Sequence, residues 1–262
     1  MSLIELYNYF NNEVADPRTN SWFLVSSPVP VILATLSYLY FVLQCGPRYM
    51  KDKPPYKLKG FIMCYNIFQI VTNAWIVYAL LEAGWYKDYF LSCVHEERYM
   101  KTPQGYKFAN ITWYILCLKI IDFIEAGVFV LRKKQNQVSF LHLYHHVSTV
   151  AIIWLSNKYF VTGMAMTIPV VNCSVHVVMY TYYLLSSFGP SMQKLTAPVK
   201  PLITIMQMVQ FVILMVYSFQ AFVPGCPGVK INAAMIIVDL IINFVLFYNF
   251  YKKNYVEKKK HN

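Results

Sequence analysis

Three histidines, His142, His145 and His146, stand in a His-x-x-His-His run, and a fourth, His176, follows on the next apolar stretch. Imidazole is the commonest side-chain metal ligand and the side chain that titrates nearest neutrality, so two chemistries are open. As ligands, the histidines would hold a metal ion. As nucleophile and acid–base groups, one neutral imidazole would attack a thioester and form an acyl-imidazole that stays reactive. Its neighbours would orient it, move protons and hold the developing oxyanion. A di-iron centre needs more histidines in several boxes; this chain has six, and His95 and His261 fall outside the apolar stretches. That disfavours a di-iron site and leaves a mononuclear one open.

Other ionisable groups gather near the histidines. Lys119, Asp122 and Glu125 precede the run on another apolar stretch, whereas Asp239 stands apart. On a helix, His142, His145 and His146 fall within a narrow arc. Asn172, His176, Met179, Tyr180 and Tyr183 form a second polar-aromatic stripe. Lys119, Asp122 and Ala126 share a face, with Glu125 roughly 60° from Asp122. Three consecutive helices with short connections could aim these faces at one cavity. The bland alternative for each residue is a satisfied polar group that glues helices together. Asp239 reads that way, and Lys119 with Asp122 reads equally as a neutralised structural pair. Four buried histidines on two neighbouring helices read as a site.

The elements that must carry them are membrane helices. Hydrophobic residues make up 57% of the chain and charged ones 13%, against about 25% charged in soluble domains. Gly60–Leu81 and Tyr159–Gln193 run for 22 and 35 residues without Asp, Glu, Lys or Arg. A span needs about 20 apolar residues and must satisfy its own backbone hydrogen bonds, so an all-α fold follows. Seven spans are predicted: Val29–Cys45, Gly60–Leu81, Phe108–Leu131, Val138–Asn157, Thr162–Ser187, Leu202–Val223 and Ile231–Tyr251. They form a single membrane domain over residues 1–262, flanked by an N-terminal segment 1–28 and a basic tail 252–262.

The net charge of +11 is distributed by topology and gives no reason to invoke nucleic acid. One set of loops, with Arg48, Lys51, Lys53, Lys57, Lys59, Arg132, Lys133, Lys134, Lys194, Lys200 and the tail, holds 15 basic residues; the other set holds seven. The positive-inside rule puts the C-terminus in the cytosol and the N-terminus across the membrane. Glu5, Glu13 and Asp16 precede Arg18, the first basic residue, which is not the pattern of a cleavable signal peptide. Lys259 and Lys260, fourth and third from the end, match the dilysine retrieval signal of the endoplasmic reticulum, read by a receptor; a stop-transfer flank would look the same. Cys93 and Cys226 fall in loops on the lumenal side, where a disulfide could form.

With those residues in view, the chain resembles the very-long-chain fatty-acid elongase family. His142-Leu-Tyr-His145-His146 matches the family's histidine box, and Asn172-Cys-Ser-Val-His176-Val-Val-Met179-Tyr180-Thr-Tyr182-Tyr183 matches its second signature. Phe129-Val-Leu-Arg132-Lys133-Lys134 and Gln207-Met-Val-Gln210-Phe211 are similar too. The likeness is dense over about Lys119–Phe211. It implies six helices of seven ringing a narrow acyl tunnel, and the condensing step of chain elongation: acyl-CoA and malonyl-CoA give a 3-oxoacyl-CoA, CO2 and CoA. His145 would be acylated, with His176 facing it and with His142 and His146 orienting and polarising the site. Substrate contacts would come from Lys119, Asp122, Glu125, Asn172, Tyr180, Tyr183, Lys200, Thr204, Gln207, Gln210, Arg132 and Lys133. The basic cytosolic rim would meet CoA phosphates, and Cys93 with Cys226 fits the family's lumenal disulfide. No metal or other cofactor is implied. Membrane lipid, a 3-ketoacyl-CoA reductase and the other enzymes of the elongation cycle would be the partners; the oligomeric state is open, a homodimer being one option.

Two departures stand out. Where the family reads Lys-x-x-Glu-x-x-Asp-Thr, this chain has Lys119, Asp122, Glu125 and Ala126. Before the glutamines, Lys200 and Thr204 persist, but Pro198 and Pro201 interrupt the usual Trp-Lys-Lys-Tyr-Ile-Thr-like run. Reversion by Asp122→Glu, Glu125→Asp and Ala126→Thr is expected not to lower activity. The rival readings are a metal-dependent lipid hydroxylase or desaturase, and a seven-span receptor or transporter. A receptor has no use for the histidine box, and no internal repeat of the transporter kind is visible.

Overall fold

The computed structural model describes residues 2–90, 93 and 100–257. Among them every regular element is helical. The main helices, in chain order, are α1 (Val29–Tyr40, continued by a π-helical turn Phe41–Cys45 and by Gly46–Met50), α2 (Lys59–Glu82), α3 (Pro103–Ile121), α4 (Phe123–Leu131), α5 (Phe140–Tyr159), α6 (Thr167–Ser187), α7 (Val199–Ser218) and α8 (Lys230–Tyr251). Among the described residues, five stretches are long and apolar enough to cross a membrane: Val29–Met50, Lys59–Glu82, Met164–Ser187, Val199–Phe222 and Lys230–Glu257.

The two predicted spans that miss this mark are the third and fourth, where ionisable residues cluster: Lys119, Asp122 and Glu125 on one, His142, His145 and His146 on the other. The third, expected as one helix over Phe108–Leu131, starts earlier at Pro103 and breaks at Asp122. Thr102 caps its start, its hydroxyl accepting from the Gly105 N–H at 3.1 Å, with proline in the first turn where a missing donor does no harm. At the break the Glu125 N–H donates to the Asp122 carbonyl at 3.1 Å, an i→i−3 bond that tightens the turn. Asp is a poor helix former, and here its carboxylate is engaged by Lys119. The fourth predicted span is α5, whose hydropathy its histidines reduce. At the far end of the chain a π-helical turn, Lys252–Glu257, extends α8 into the stretch expected as a basic tail. Lys259 and Lys260 lie outside the described residues.

The chain divides into two compact units, residues 1–57 with 95–165, and 58–94 with 166–262. In the first, α3 and α1 pack on α5, and α4 packs on the Gly46–Met50 segment. The core is Tyr38, Val42, Leu116, Phe123, Ala126, Val130 and Val150, with the Tyr38 and Phe123 rings stacked at 4.1 Å. Gly46 lets α4 come close: a Cβ there would lie 2.7 Å from Val130 Cγ1. In the second unit α2 lies along α6, α7 along α8, and α6 also touches α7. Cys93 and Cys226 are joined there as a disulfide, their Cα atoms 5.3 Å apart.

The segment before α1 is folded onto the first unit. Arg18 and Asp16 form a buried ion pair, and the guanidinium also donates to the carbonyls of Gly105 at 3.2 Å and Val161 at 2.7 Å. Lys158, fully buried, donates to Asn20 Oδ1 and the Ser26 carbonyl. Trp113 and Trp154 each donate an indole N–H to this segment, to the Phe23 and Leu24 carbonyls at 2.8 Å.

Candidate functional site

In the first unit the histidine box opens α5. Ser139, in extended conformation, caps the helix, its Oγ accepting from the His142 N–H at 3.2 Å. The cap thus fixes the backbone of the first box residue and satisfies an otherwise orphan donor. One turn on, His146 is buried and His142 and His145 are half-buried. The Nε2 atoms of His142 and His146 are 3.0 Å apart, and the His145 ring stands edge-on to His146 at 5.8 Å. Phe129 on α4 lies 5.3 Å from the His142 ring, and Phe123 lies 6.5 Å from His146. The site is therefore walled by aromatic rings on one side.

Glu125 reaches this pair from α4. Its Oε2 is 3.6 Å from His142 Nε2 and 3.7 Å from His146 Nε2. Lys119 and Asp122, one turn before, pair with each other at 3.2 Å, both side chains nearly inaccessible. The two acids of the third predicted span thus have different employers: Asp122 neutralises Lys119 on its own polypeptide stretch, and Glu125 faces the box. Glu125, His142 and His146 form a group whose ligand atoms all lie within 4.8 Å of one another, and so could hold a metal ion. The close Nε2 contact is equally that of a hydrogen bond between rings.

At the end of α4, Arg132, Lys133 and Lys134 make the turn to α5. The Lys134 N–H donates to the Phe129 carbonyl at 2.8 Å and the Lys133 N–H to the Val130 carbonyl at 2.9 Å, a Schellman termination. Lys133 occupies the left-handed position, φ 55°, and its Nζ donates to the Lys51 carbonyl at 3.1 Å. The Tyr56 N–H closes on the Leu131 carbonyl at 3.0 Å. Lys53 lies over the Tyr49 ring, 3.1 Å from its centroid. The basic loop after α1 and the basic turn after α4 are consequently neighbours.

In the second unit His176 is buried on α6 and begins a run of ring contacts: His176 to Tyr180 at 5.7 Å, Tyr180 to Tyr183 at 5.9 Å, and Tyr180 to Tyr65 at 6.0 Å. Gln207 on α7 donates to Met179 Sδ at 3.3 Å. Gln210 is buried with its Oε1 unpartnered, Thr204 donates back to the Lys200 carbonyl, and Lys200 is exposed. Asn172 is half-buried, one turn before His176. Sequence reasoning passed over a polar row on α2: Asn66, Gln69 and Asn73, all buried. Asn73 donates to Gln69 Oε1 at 3.1 Å and Gln69 donates to the Tyr65 hydroxyl at 2.9 Å, which ties the row to the tyrosines beside His176. The signal available was three amides at i, i+3 and i+7 inside a charge-free span.

Known proteins resemble this chain along almost its full length. A model of the GNS1/SUR4 family matches residues 23–262. Very long chain fatty acid elongase 7 of Drosophila melanogaster is 36% identical over 245 residues, covering 93% of this chain and 74% of that protein. Very long chain fatty acid elongase 1 of Mus musculus is 34% identical over 265 residues, covering 99% and 92%. Very long chain fatty acid elongase 4 of Homo sapiens is 32% identical over 257 residues, covering 98% and 81%.

Proposed function

The chain belongs to the GNS1/SUR4 family, and from that premise we propose that it is a very-long-chain 3-oxoacyl-CoA synthase, the condensing enzyme of fatty-acid elongation. The observation that carries the reading is the family match over residues 23–262 together with a histidine box whose rings touch one another beside a carboxylate.

In this reading His145, neutral, attacks the carbonyl carbon of an acyl-CoA. The C–S bond breaks, CoA leaves as the thiol with the proton lost by the imidazole, and an acyl-imidazole remains. Malonyl-CoA then loses CO2, its enolate carbon bonds to the acyl carbon, and the C–N bond to His145 breaks. The ring recovers a proton, so each turnover takes up one proton overall. His142 and His146 orient and polarise the reacting groups, and His176 with its tyrosines serves the same reaction. Arg132, Lys133 and Lys200 meet CoA phosphates, whose charge suits planar and point cations alike. Asn172, Tyr180, Tyr183, Thr204, Gln207 and Gln210 are assigned to substrate contact, whereas Lys119 and Asp122 neutralise each other as a buried pair. No metal or other cofactor takes part.

We adopt seven spans. α5 has 20 residues and rises about 30 Å, the thickness of the hydrocarbon core, and α3 with α4 supplies a comparable length; their ionisable residues, not their length, lower their hydropathy. Charge bias puts the C-terminus in the cytosol and the N-terminus in the lumen of the endoplasmic reticulum, where a Cys93–Cys226 bridge is stable. A 3-ketoacyl-CoA reductase would take the product, and a homodimer is the assembly to test.

The test is carbon-labelled malonyl-CoA incubated with the purified protein and a panel of acyl-CoAs, beside His145→Ala. Acyl-dependent CO2 release and a 3-oxo product two carbons longer, absent from the folded variant, are expected. Folded wild-type protein that turns over no acyl length overturns the reading.

A further inference from the structure

We propose that Glu125 is a positioning residue for the histidine box, and that its side-chain length is set by its reach from α4 to the His142–His146 pair. The inference rests on the condensation reading for its consequence, though not for its geometry.

An Nε2-to-Nε2 separation of 3.0 Å needs one proton between the rings. One ring donates from Nε2, and the other accepts there and, when neutral, carries its own proton on Nδ1. Two neutral imidazoles can choose either arrangement or can drift apart. A carboxylate oxygen nearly equidistant from both Nε2 atoms, at 3.6 and 3.7 Å, favours a proton at that edge whichever ring owns it. It thereby holds both Nε2 edges turned toward α4. His142 Nδ1 is buried without a hydrogen-bond partner, so no contact at that edge of the His142 ring competes for the orientation. The same logic operates where a carboxylate fixes the tautomer of a catalytic imidazole.

The two acids of this stretch are placed differently: Asp122, one turn earlier, pairs with Lys119 at 3.2 Å, and Glu125 is the acid set 3.6 and 3.7 Å from the box. The residue sits just past the break between α3 and α4, with Ala126 and Phe123 anchored in the core on either side. The backbone therefore cannot advance toward α5 to compensate for a shorter acid. Asp in place of Glu would withdraw the oxygens by about one bond length along the chain, about 1.5 Å, beyond ion-pair reach of both rings. The sequence-based expectation concerns the combined reversion at 122, 125 and 126; for Glu125→Asp made alone, the geometry predicts a loss. Glu125 acts through His142 and His146, and the reacting groups feel it only by way of them.

The experiment compares wild type, Glu125→Gln and Glu125→Asp as purified full-length protein in detergent. Single-turnover acylation by a long-chain acyl-CoA is read from intact protein mass. Steady-state kcat and KM are measured beside it, and histidine-selective 15N NMR reports the tautomers without needing turnover. Both variants should acylate about 10²-fold more slowly, the scale of a displaced acid–base group, with KM for acyl-CoA within about two-fold and with altered 15N shifts. Acylation at the wild-type rate with unchanged shifts overturns the proposal. So does failure of both variants to fold, which would make Glu125 structural, or a stoichiometric metal in wild type that Glu125→Gln loses, which would make it a ligand. If wild type never acylates but the NMR shifts respond to Glu125→Gln, the positioning role stands and the condensation reading falls.

Discussion

Two of the places where the first unit encloses charge treat it differently. At one, Arg18 is enclosed by Asp16 and by the carbonyls of Gly105 and Val161, and Lys158 is enclosed by Asn20 and the Ser26 carbonyl. Each cation meets several oxygens at hydrogen-bond distance. At the other, Glu125 stands 3.6 and 3.7 Å from two histidines, beyond hydrogen-bond length, and His142 Nδ1 has no hydrogen-bond partner. Saturated charge fastens the segment before α1 to the ends of α3 and α5. At the box the carboxylate guides the rings without a direct hydrogen bond to either of them. Burial alone does not separate these roles; the distance to the partners does.

The contrast can be broken in graded steps. His146→Gln should lower kcat about 10²–10⁴-fold while the melting temperature in detergent moves little, because the group it removes contributes chemistry more than cohesion. Arg18→Leu should do the reverse. Removing one partner of a buried pair costs about 3–5 kcal/mol, so denaturation should shift strongly while the folded fraction keeps its specific activity. A box variant that melts early, or an Arg18 variant that is folded but inactive, would dissolve the distinction. Gly46→Ala tests cohesion at smaller scale. The new methyl would meet Val130 Cγ1 and the Phe41 carbonyl, and overpacking of this kind costs about 1–3 kcal/mol, measurable by the same denaturation.

Much of this was legible in the sequence, and the gaps have physical causes. Five spans follow from long apolar runs, and the histidine box stands out because ionisable groups are rare in lipid. The break at Asp122 was hidden because Lys119, Asp122 and Glu125 keep a helical spacing throughout; only backbone hydrogen bonds reveal that the turn tightens there. The separate fates of Asp122 and Glu125 depend on which neighbour each meets, Lys119 on its own stretch or α5 across the unit, and spacing along one helix does not record the second. The Asn66, Gln69 and Asn73 row was passed over because a search for charge ignores amides. The segment before α1 read as a plain lumenal stretch, since its anchors are backbone carbonyls from Gly105, Val161 and Asn157, groups every residue has.

The smallest effect concerns Lys133, which holds a left-handed φ of 55° at the position of the Schellman turn that glycine normally fills. A side chain there costs about 1–2 kcal/mol relative to the right-handed helix, and the exposed Nζ bond to the Lys51 carbonyl returns about 0.5–1.5 kcal/mol. Lys133→Gly should therefore shift stability by between about −0.5 and +1.5 kcal/mol, on the stabilising side where the relieved strain outweighs the lost bond. Lys133→Ala keeps the strain and removes the amine, so the difference between the two variants isolates the backbone term. If the ammonium meets a CoA phosphate, both variants should raise KM for acyl-CoA several-fold, and raised salt should narrow the gap to wild type. If KM is unchanged in both, the strained lysine serves only to tie the turn to Lys51, and the phosphate contact must be sought at Arg132 or in the neighbouring loop with Lys51, Lys53 and Lys57.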